Sequence, residues 1–246
     1  MAKIVCNGIT FSEVKAIFFD KDGTLEDSSQ YLLQLTQARV RQIARVAPSV
    51  ADSLALALGL EDNRLDPEGL MAVGSKQENE LAAAAYISSD RYNWHEAKEI
   101  AKQAFAIAQQ EVHPNQANSP IFPGARTVIQ ALVTEGVPLG IISADSNEKI
   151  KEFVVRENLE NYFEVLLGSD QYLSKPDPAL YLKACKLLGV LPQNTLMIGD
   201  SVGDLVMAEQ AQAQGTIGIC WHDSTASYLD RAAVKISNLQ EIKVIS

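Results

Sequence analysis

Residues 14–25 read VKAIFFDKDGTL, running from Val14 to Leu25. The run Val14–Asp20 is apolar apart from Lys15 and breaks off at an aspartate. A short run without polar alternation suits a central parallel strand, covered on both faces. Upstream, Lys3–Cys6 and Ile9–Phe11 flank Asn7-Gly8, a pair that tolerates the positive φ angles of a tight hairpin turn. Downstream, from Asp27 to Val112, the texture changes to Ala, Leu, Gln and Glu at helical spacing. Helices are predicted over Ser29–Val46, Val50–Leu58, Lys76–Ser88 and Trp94–Val112. Ser75 with Glu78, and Asn93 with Glu96, fit capping boxes. Glu61–Gly74, rich in Asp, Pro and Gly, reads as a loop.

Past His113 a linker, PNQANSPIFPG, leads into alternating strands and helices. Strands are predicted at Val137–Ser143, Val165–Gly168, Thr195–Gly199, Thr216–Ile219 and Val234–Ile236. Helices start at Ala125, at Asp145, at Asp177-Pro178 and at Asp204. Repeated βα units of this length imply a parallel, Rossmann-like sheet with helices on both faces. The expected organisation is an α/β core over residues 1–26 and 114–246, with an α-helical cap domain inserted over 27–113. Such an insertion leaves the first strand at its carboxyl end, the edge where open α/β sheets bind ligands.

Bulk composition narrows the function. Acidic residues number 31 against 21 basic ones, for a net charge of −10, and no Lys/Arg-rich run occurs. Nucleic-acid and membrane-surface partners, which need a basic face, are not expected. Met1–Thr10 lacks the pattern of a signal peptide, and no apolar run approaches the roughly 18 residues that suggest a membrane span. Cys6, Cys185 and Cys220 are odd in number and far apart, as reduced cysteines of a cytoplasmic protein would be. His95, His113 and His222 show no metal-ligand spacing, so a zinc site is not expected. Composition does not address oligomeric state.

The predicted strand ends carry the chemistry. Asp20 and Asp22 follow the first strand, Ser143 ends the second, Lys175 lies past the third and Asp200 follows the fourth. In a parallel sheet these ends share one edge. Nearby carboxylates repel unless a cation or a shared proton lies between them. Mg²⁺, a hard cation that takes one or two carboxylates plus phosphate oxygens, meets that need. A carboxylate can attack phosphorus to form an aspartyl-phosphate, with Lys175 and Ser143 offsetting charge on the transferring oxygens. The backbone near Ala144 offers N–H donors. Asp22 suits a general acid toward the leaving oxygen and then a base toward water. Asp204, in the first turn of the next helix, suits a supporting role.

The ordered set DKDGTL (20–25), IISA (141–144), KPDP (175–178) and GDSVGD (199–204) resembles the motifs of the haloacid dehalogenase superfamily. The likeness is to its helical-cap, C1-type branch, which includes phosphoglycolate phosphatases and β-phosphoglucomutases. That resemblance implies Asp20 as nucleophile and Asp22 as acid/base. It implies phosphate binding by Ser143, Ala144 and Lys175. Mg²⁺ would be bound by Asp20, the backbone carbonyl of Asp22, and Asp200, with Asp204 in support. The second motif continues as Ser143-Ala144-Asp145, where the family more often has Thr-Asn or Ser-Asn. Dehalogenases of the family lack the second aspartate, so Asp22 favours a phosphatase acting on a small phosphorylated metabolite. A phosphosugar mutase of the β-phosphoglucomutase type, or a non-catalytic phosphate-binding protein, is the alternative. In capped members specificity resides largely in the cap, where the loop Asp66–Ser75 and the bases Arg64, Lys76 and Arg91 are candidates.

Overall fold

The chain opens with a hairpin. In the computed structural model, which describes residues 2–115, 117–170, 172–221 and 226–245, β1 (Ala2–Cys6) pairs antiparallel with β2 (Ile9–Val14). Asn7 and Gly8 turn between them with φ of 46° and 81°, the left-handed region that these two residues tolerate best. His222 lies outside the described residues. β3 (Ala16–Phe19) follows and is buried along its whole length. By its internal contacts the chain divides into two units, Met1–Asp27 with Ile121–Ser246, and Ser28–Pro120.

The second unit holds α1 (Ser29–Ala44), α2 (Ala51–Ala57), the short strands β4 (Leu60–Glu61) and β5 (Arg64–Leu65), α3 (Leu70–Val73), α4 (Lys76–Ser88) and α5 (Trp94–Glu111). Both expected capping boxes form. Ser75 Oγ accepts the Glu78 N–H at 3.2 Å and the Glu78 carboxylate accepts the Ser75 N–H at 2.7 Å; Asn93 and Glu96 do the same. Small residues let the helices approach closely: Ala83, Ala84, Ala97, Ala101 and Ala108 are buried beside Leu35, Ile43 and Phe105. The stretch Glu61–Gly74 is not the plain loop that its composition suggests. Asp62 and Asn63 adopt φ of 46° and 60° and close the β4–β5 hairpin, while α3 buries Met71 in the helical core. The stretch 114–120 groups with the helices, where the Asn118 carbonyl accepts the N–H of Tyr31 in the first turn of α1 at 3.0 Å.

The first unit resumes with α6 (Ala125–Thr134), β6 (Leu139–Ser143), α7 (Asn147–Arg156), β7 (Val165–Gly168), α8 (Pro178–Leu188), β8 (Thr195–Gly199), α9 (Val202–Gln210), β9 (Gly215–Ile219), β10 (Val234–Ile236) and β11 (Ile242–Ile245). Six strands form a sheet in the order β10-β9-β8-β3-β6-β7, every pair parallel. Alternate residues serve opposite faces. Ile17 and Phe19 pack toward Ile129 of α6 and Phe153 of α7; Phe18 packs toward Tyr181 of α8 and Met207 of α9. Phe18 and Tyr181 meet edge-on at 5.1 Å, a geometry adding about 1 kcal/mol to the burial itself.

Three local readings are corrected. α7 starts after Ser146, so Asp145 is not its cap; its carboxylate is committed to Lys21 and Lys149 instead. α9 starts at Val202 with Ser201 as cap, ahead of Asp204, and stops at Gln210. β11 pairs antiparallel with β1, giving the three-stranded sheet β11-β1-β2; the sequence reading did not include β11. Among the described residues no helix is long and apolar enough to cross a membrane, and Cys6, Cys185 and Cys220 are free thiols.

The strand order locates the ligand edge. From β3 the chain moves to β6 and β7 on one side, then to β8, β9 and β10 on the other. The reversal falls between β3 and β8, and the crevice beyond the carboxyl ends of such a pair is where open α/β sheets bind ligands. Asp20 follows β3 and Asp200 follows β8.

Candidate active site

Asp20 extends the sheet ladder, its N–H donating to the Ile198 carbonyl at 2.8 Å. The chain then turns tightly, the N–H groups of Leu25 and Glu26 both donating to the Lys21 carbonyl at 2.9 Å. Gly23 has φ +77°, and a Cβ there would lie 1.9 Å from Asp200 Oδ2. Conformation and space therefore both require glycine at this position. Thr24 Oγ1 donates to Asp200 Oδ1 at 3.2 Å. The Trp221 indole N–H donates to the Gly23 carbonyl at 3.1 Å, and its ring stacks on Phe122 at 4.1 Å.

The Lys175 ammonium, its side chain 6 % exposed, pairs with Asp20 and lies 2.6 Å from Asp204 Oδ1. Asp204 is fully buried and closes the cap of α9, accepting from Ser201 Oγ at 2.7 Å. Ser143 is buried at the end of β6. Its Oγ accepts the Asp145 N–H at 3.1 Å, which leaves the hydroxyl proton available for a phosphate oxygen. Ala144, the next residue, is partly exposed in the turn after β6.

Electrostatics reflect this crowding. Burial pushes the Asp20 carboxyl up to about 6, with Lys175 pulling it down and Asp204 pushing it up. Burial likewise raises Asp22 to about 7, Lys21 lowering it and Asp145, Glu26 and Asp20 raising it. Asp200 is raised well above the usual carboxylate range by burial and by repulsion from Asp20 and Asp204. Burial opposes the Lys175 charge, yet Asp20 and Asp204 hold its pKa above the ordinary lysine value.

Among the described residues, Asp20, Asp200 and Asp204 form the one group of side chains close enough to share a metal ion, with ligand atoms within 4.8 Å of one another. Lys175 pairs with Asp20 and Asp204 and, among the described residues, no ammonium pairs with Asp200, so acidic groups outnumber the one base of the cluster. An all-oxygen, anionic donor set of this kind fits a hard divalent cation such as Mg²⁺. Lys175 and Ser201 engage both oxygens of Asp204, whereas Lys175 meets one oxygen of Asp20, which makes Asp20 and Asp200 the better-placed ligands.

The structure thus brings Asp20, Lys175, Asp200 and Asp204 together. Two of the three candidate bases of the helical unit are engaged within it: Lys76 pairs with Glu80 at 3.4 Å, and Arg91 donates to the Val46 carbonyl at 3.2 Å. Arg64 is exposed on β5 and forms no ion pair among the described residues. Sequence reasoning passed over Lys21, Glu26 and Trp221. The signal available for Lys21 was a charge wedged between a buried strand and two aspartates; for Trp221 there was none.

The family model described as haloacid dehalogenase-like hydrolase matches residues 14–212. The phosphoglycolate phosphatase of Pseudomonas putida is 27% identical over 205 residues, covering 81% of this chain and 67% of that protein. Among solved structures, a predicted phosphoglycolate phosphatase of Haemophilus somnus aligns with a TM-score of 0.66 at 17% identity, over 93% of this chain and 96% of that one. A β-phosphoglucomutase of Clostridium difficile aligns at 0.63 and 17% identity, over 93% and 92%. At these identities the structural likeness speaks for the fold alone.

Proposed function

The chain belongs to the haloacid dehalogenase-like hydrolases, and from that premise we propose that it is a Mg²⁺-dependent phosphatase that hydrolyses a small phosphate monoester through an aspartyl-phosphate on Asp20. The observation that carries this reading is the cluster of Asp20, Asp200 and Asp204 at the switch point of the sheet, with a buried lysine paired to Asp20 and Asp204. The phosphoglycolate phosphatase named among its relatives supports a phosphate ester as substrate and makes phosphoglycolate the first ester to try.

In this reading an Asp20 carboxylate oxygen attacks phosphorus and the bond to the ester oxygen breaks. The Ser143 hydroxyl, the Ala144 N–H and the Lys175 ammonium donate to the phosphoryl oxygens. Asp22 gives its proton to the departing alkoxide. It then takes one from water as the water attacks the aspartyl-phosphate, releasing inorganic phosphate and restoring Asp20. A carboxyl pushed up to about 7 suits both transfers near neutral pH. Asp20, the backbone carbonyl of Asp22, and Asp200, with Asp204 in support, would hold Mg²⁺, which when bound supplies positive charge to the phosphoryl oxygens. The free thiols accord with a cytoplasmic setting.

The test is inorganic phosphate release from a panel of small esters, with Mg²⁺ or with a chelator, for the wild type and Asp20→Asn. Mg²⁺-dependent release that disappears in the folded variant is expected. Conversion of a sugar 1-phosphate to its 6-phosphate without phosphate release would instead select the mutase chemistry.

A further inference from the structure

Lys21 stands between the two aspartates of the motif, and its side chain is only 5 % exposed. Its Nζ lies 2.6 Å from Asp22 Oδ2, 2.8 Å from Glu26 Oε2 and 3.2 Å from Asp145 Oδ2. An ammonium has three N–H donors, and three carboxylates meet it. The two carboxylates other than Asp22 are themselves tied down. Arg156 pairs with Glu26 and, at 3.1 Å, with Glu157; Lys149 holds Asp145 at 3.0 Å. Lys21 Nζ and the Arg156 guanidinium lie 5.9 and 5.6 Å from the ring centre of Phe153. A buried ion network of this size is costly to desolvate, and an apolar side chain would fill the same space more cheaply. None of Lys21, Glu26 and Asp145 belongs to the phosphate- or metal-holding set. The member of the reacting set that Lys21 touches is Asp22.

We propose that Lys21, anchored by Glu26 and Asp145, is a positioning residue that fixes the Asp22 carboxyl for proton transfer to the leaving oxygen. This rests on the acid/base reading of Asp22 given above. Lys21 reaches no substrate atom; its effect passes through one carboxyl. A purely structural ion cluster would slow every substrate alike when broken. A positioning residue slows the esters whose leaving oxygen needs that proton.

The experiment compares kcat/KM of the wild type and Lys21→Met, with saturating Mg²⁺, on phosphoglycolate and on p-nitrophenyl phosphate. The first leaves as an alkoxide that must be protonated; the second leaves as a stabilised phenolate. Because kcat/KM covers only steps through leaving-group release, the later attack of water, common to both esters, does not enter. We expect kcat/KM to fall by roughly 10- to 100-fold on phosphoglycolate, a part of the 10²–10⁴ that general acid catalysis contributes, and by less than about 3-fold on the aryl ester. If Lys21→Met fails to fold, Lys21→Met/Asp145→Asn removes one cation and one anion together and carries the same expectation. Equal losses on the two esters by a folded variant overturn the assignment and leave the phosphatase reading standing. If the wild type hydrolyses another alkyl ester of the panel instead, that ester takes the place of phosphoglycolate; failure to release phosphate from any of them overturns the phosphatase reading and this inference with it.

Discussion

The two units settle their polar groups by different means. In the helical unit the well-formed side-chain contacts are mostly local: Ser75 with Glu78, Asn93 with Glu96, Lys76 with Glu80. Each spans one turn of helix and stands at the surface. At the sheet edge of the α/β unit the partners are far apart in sequence. Lys175 and Asp20 are 155 residues apart, Arg156 and Glu26 130, Thr24 and Asp200 176. There three carboxylates cluster, and two of them share one buried lysine. Stability alone favours the first arrangement, since gathering like charges out of water is costly. A region that breaks the local rules while another part of the chain obeys them is the candidate site of chemistry.

The largest effect is expected at Asp20. Asp20→Asn should cut phosphate release by about three orders of magnitude or more, as removal of a nucleophile does, with an unchanged far-UV spectrum; near-normal turnover would remove Asp20 from the chemistry. Next comes the metal. A chelator should abolish release and Mg²⁺ restore it. Mg²⁺ should also raise the Tm of the wild type, by about 2.7 kcal/mol of linkage at a hundredfold excess over Kd, and should not raise that of Asp200→Asn.

Asp200 offers a third test, with a sign opposite to its effect on activity. Its folded pKa is raised well above 3.8. The stability it contributes is therefore present below that unfolded value and lost as pH rises through the folded one. Asp200→Asn escapes that loss. Metal-free variant and wild type should melt alike near pH 4, and the variant should melt higher at pH 8; a lower Tm at pH 8 would mean that Asp200 is not under strain. In the helical unit, by contrast, Ser75→Ala should cost about 1 kcal/mol of stability, the usual value of an N-cap, and leave kcat on small esters unchanged. The smallest change is expected from Arg64→Ala: a modest rise in KM at constant kcat if this base contacts substrate, and no change in either if it serves only as a solvated surface charge.

Most of the architecture was legible because its signals are local. An apolar run marks β3, capping boxes mark α4 and α5, and Asp177-Pro178 opens α8, with Asp177 accepting the Ala179 N–H at 2.8 Å. The placing of the candidate site residues was legible for a related reason: they follow apolar strands, and a parallel sheet places strand ends on one edge. What failed lacked a local signature. β11 exists because β1, at the other end of the chain, offers it an edge. Asp145 looked like a helix cap, yet it faces Lys21, a neighbour that β6 and β3 bring near by pairing.

Spacing and periodicity, which are properties of contiguous residues, carried the parallel α/β sheet and the run of helices, and put Asp20, Asp22, Ser143, Lys175, Asp200 and Asp204 at or just past strand ends. Only the tertiary structure decided that Lys175 spans Asp20 and Asp204, that Gly23 leaves room for Asp200, and that Lys21 gathers Asp22, Glu26 and Asp145. Those facts depend on distances of a few ångströms between separate segments of the chain, or on the direction a side chain takes out of a turn, and neither is written in spacing along the chain.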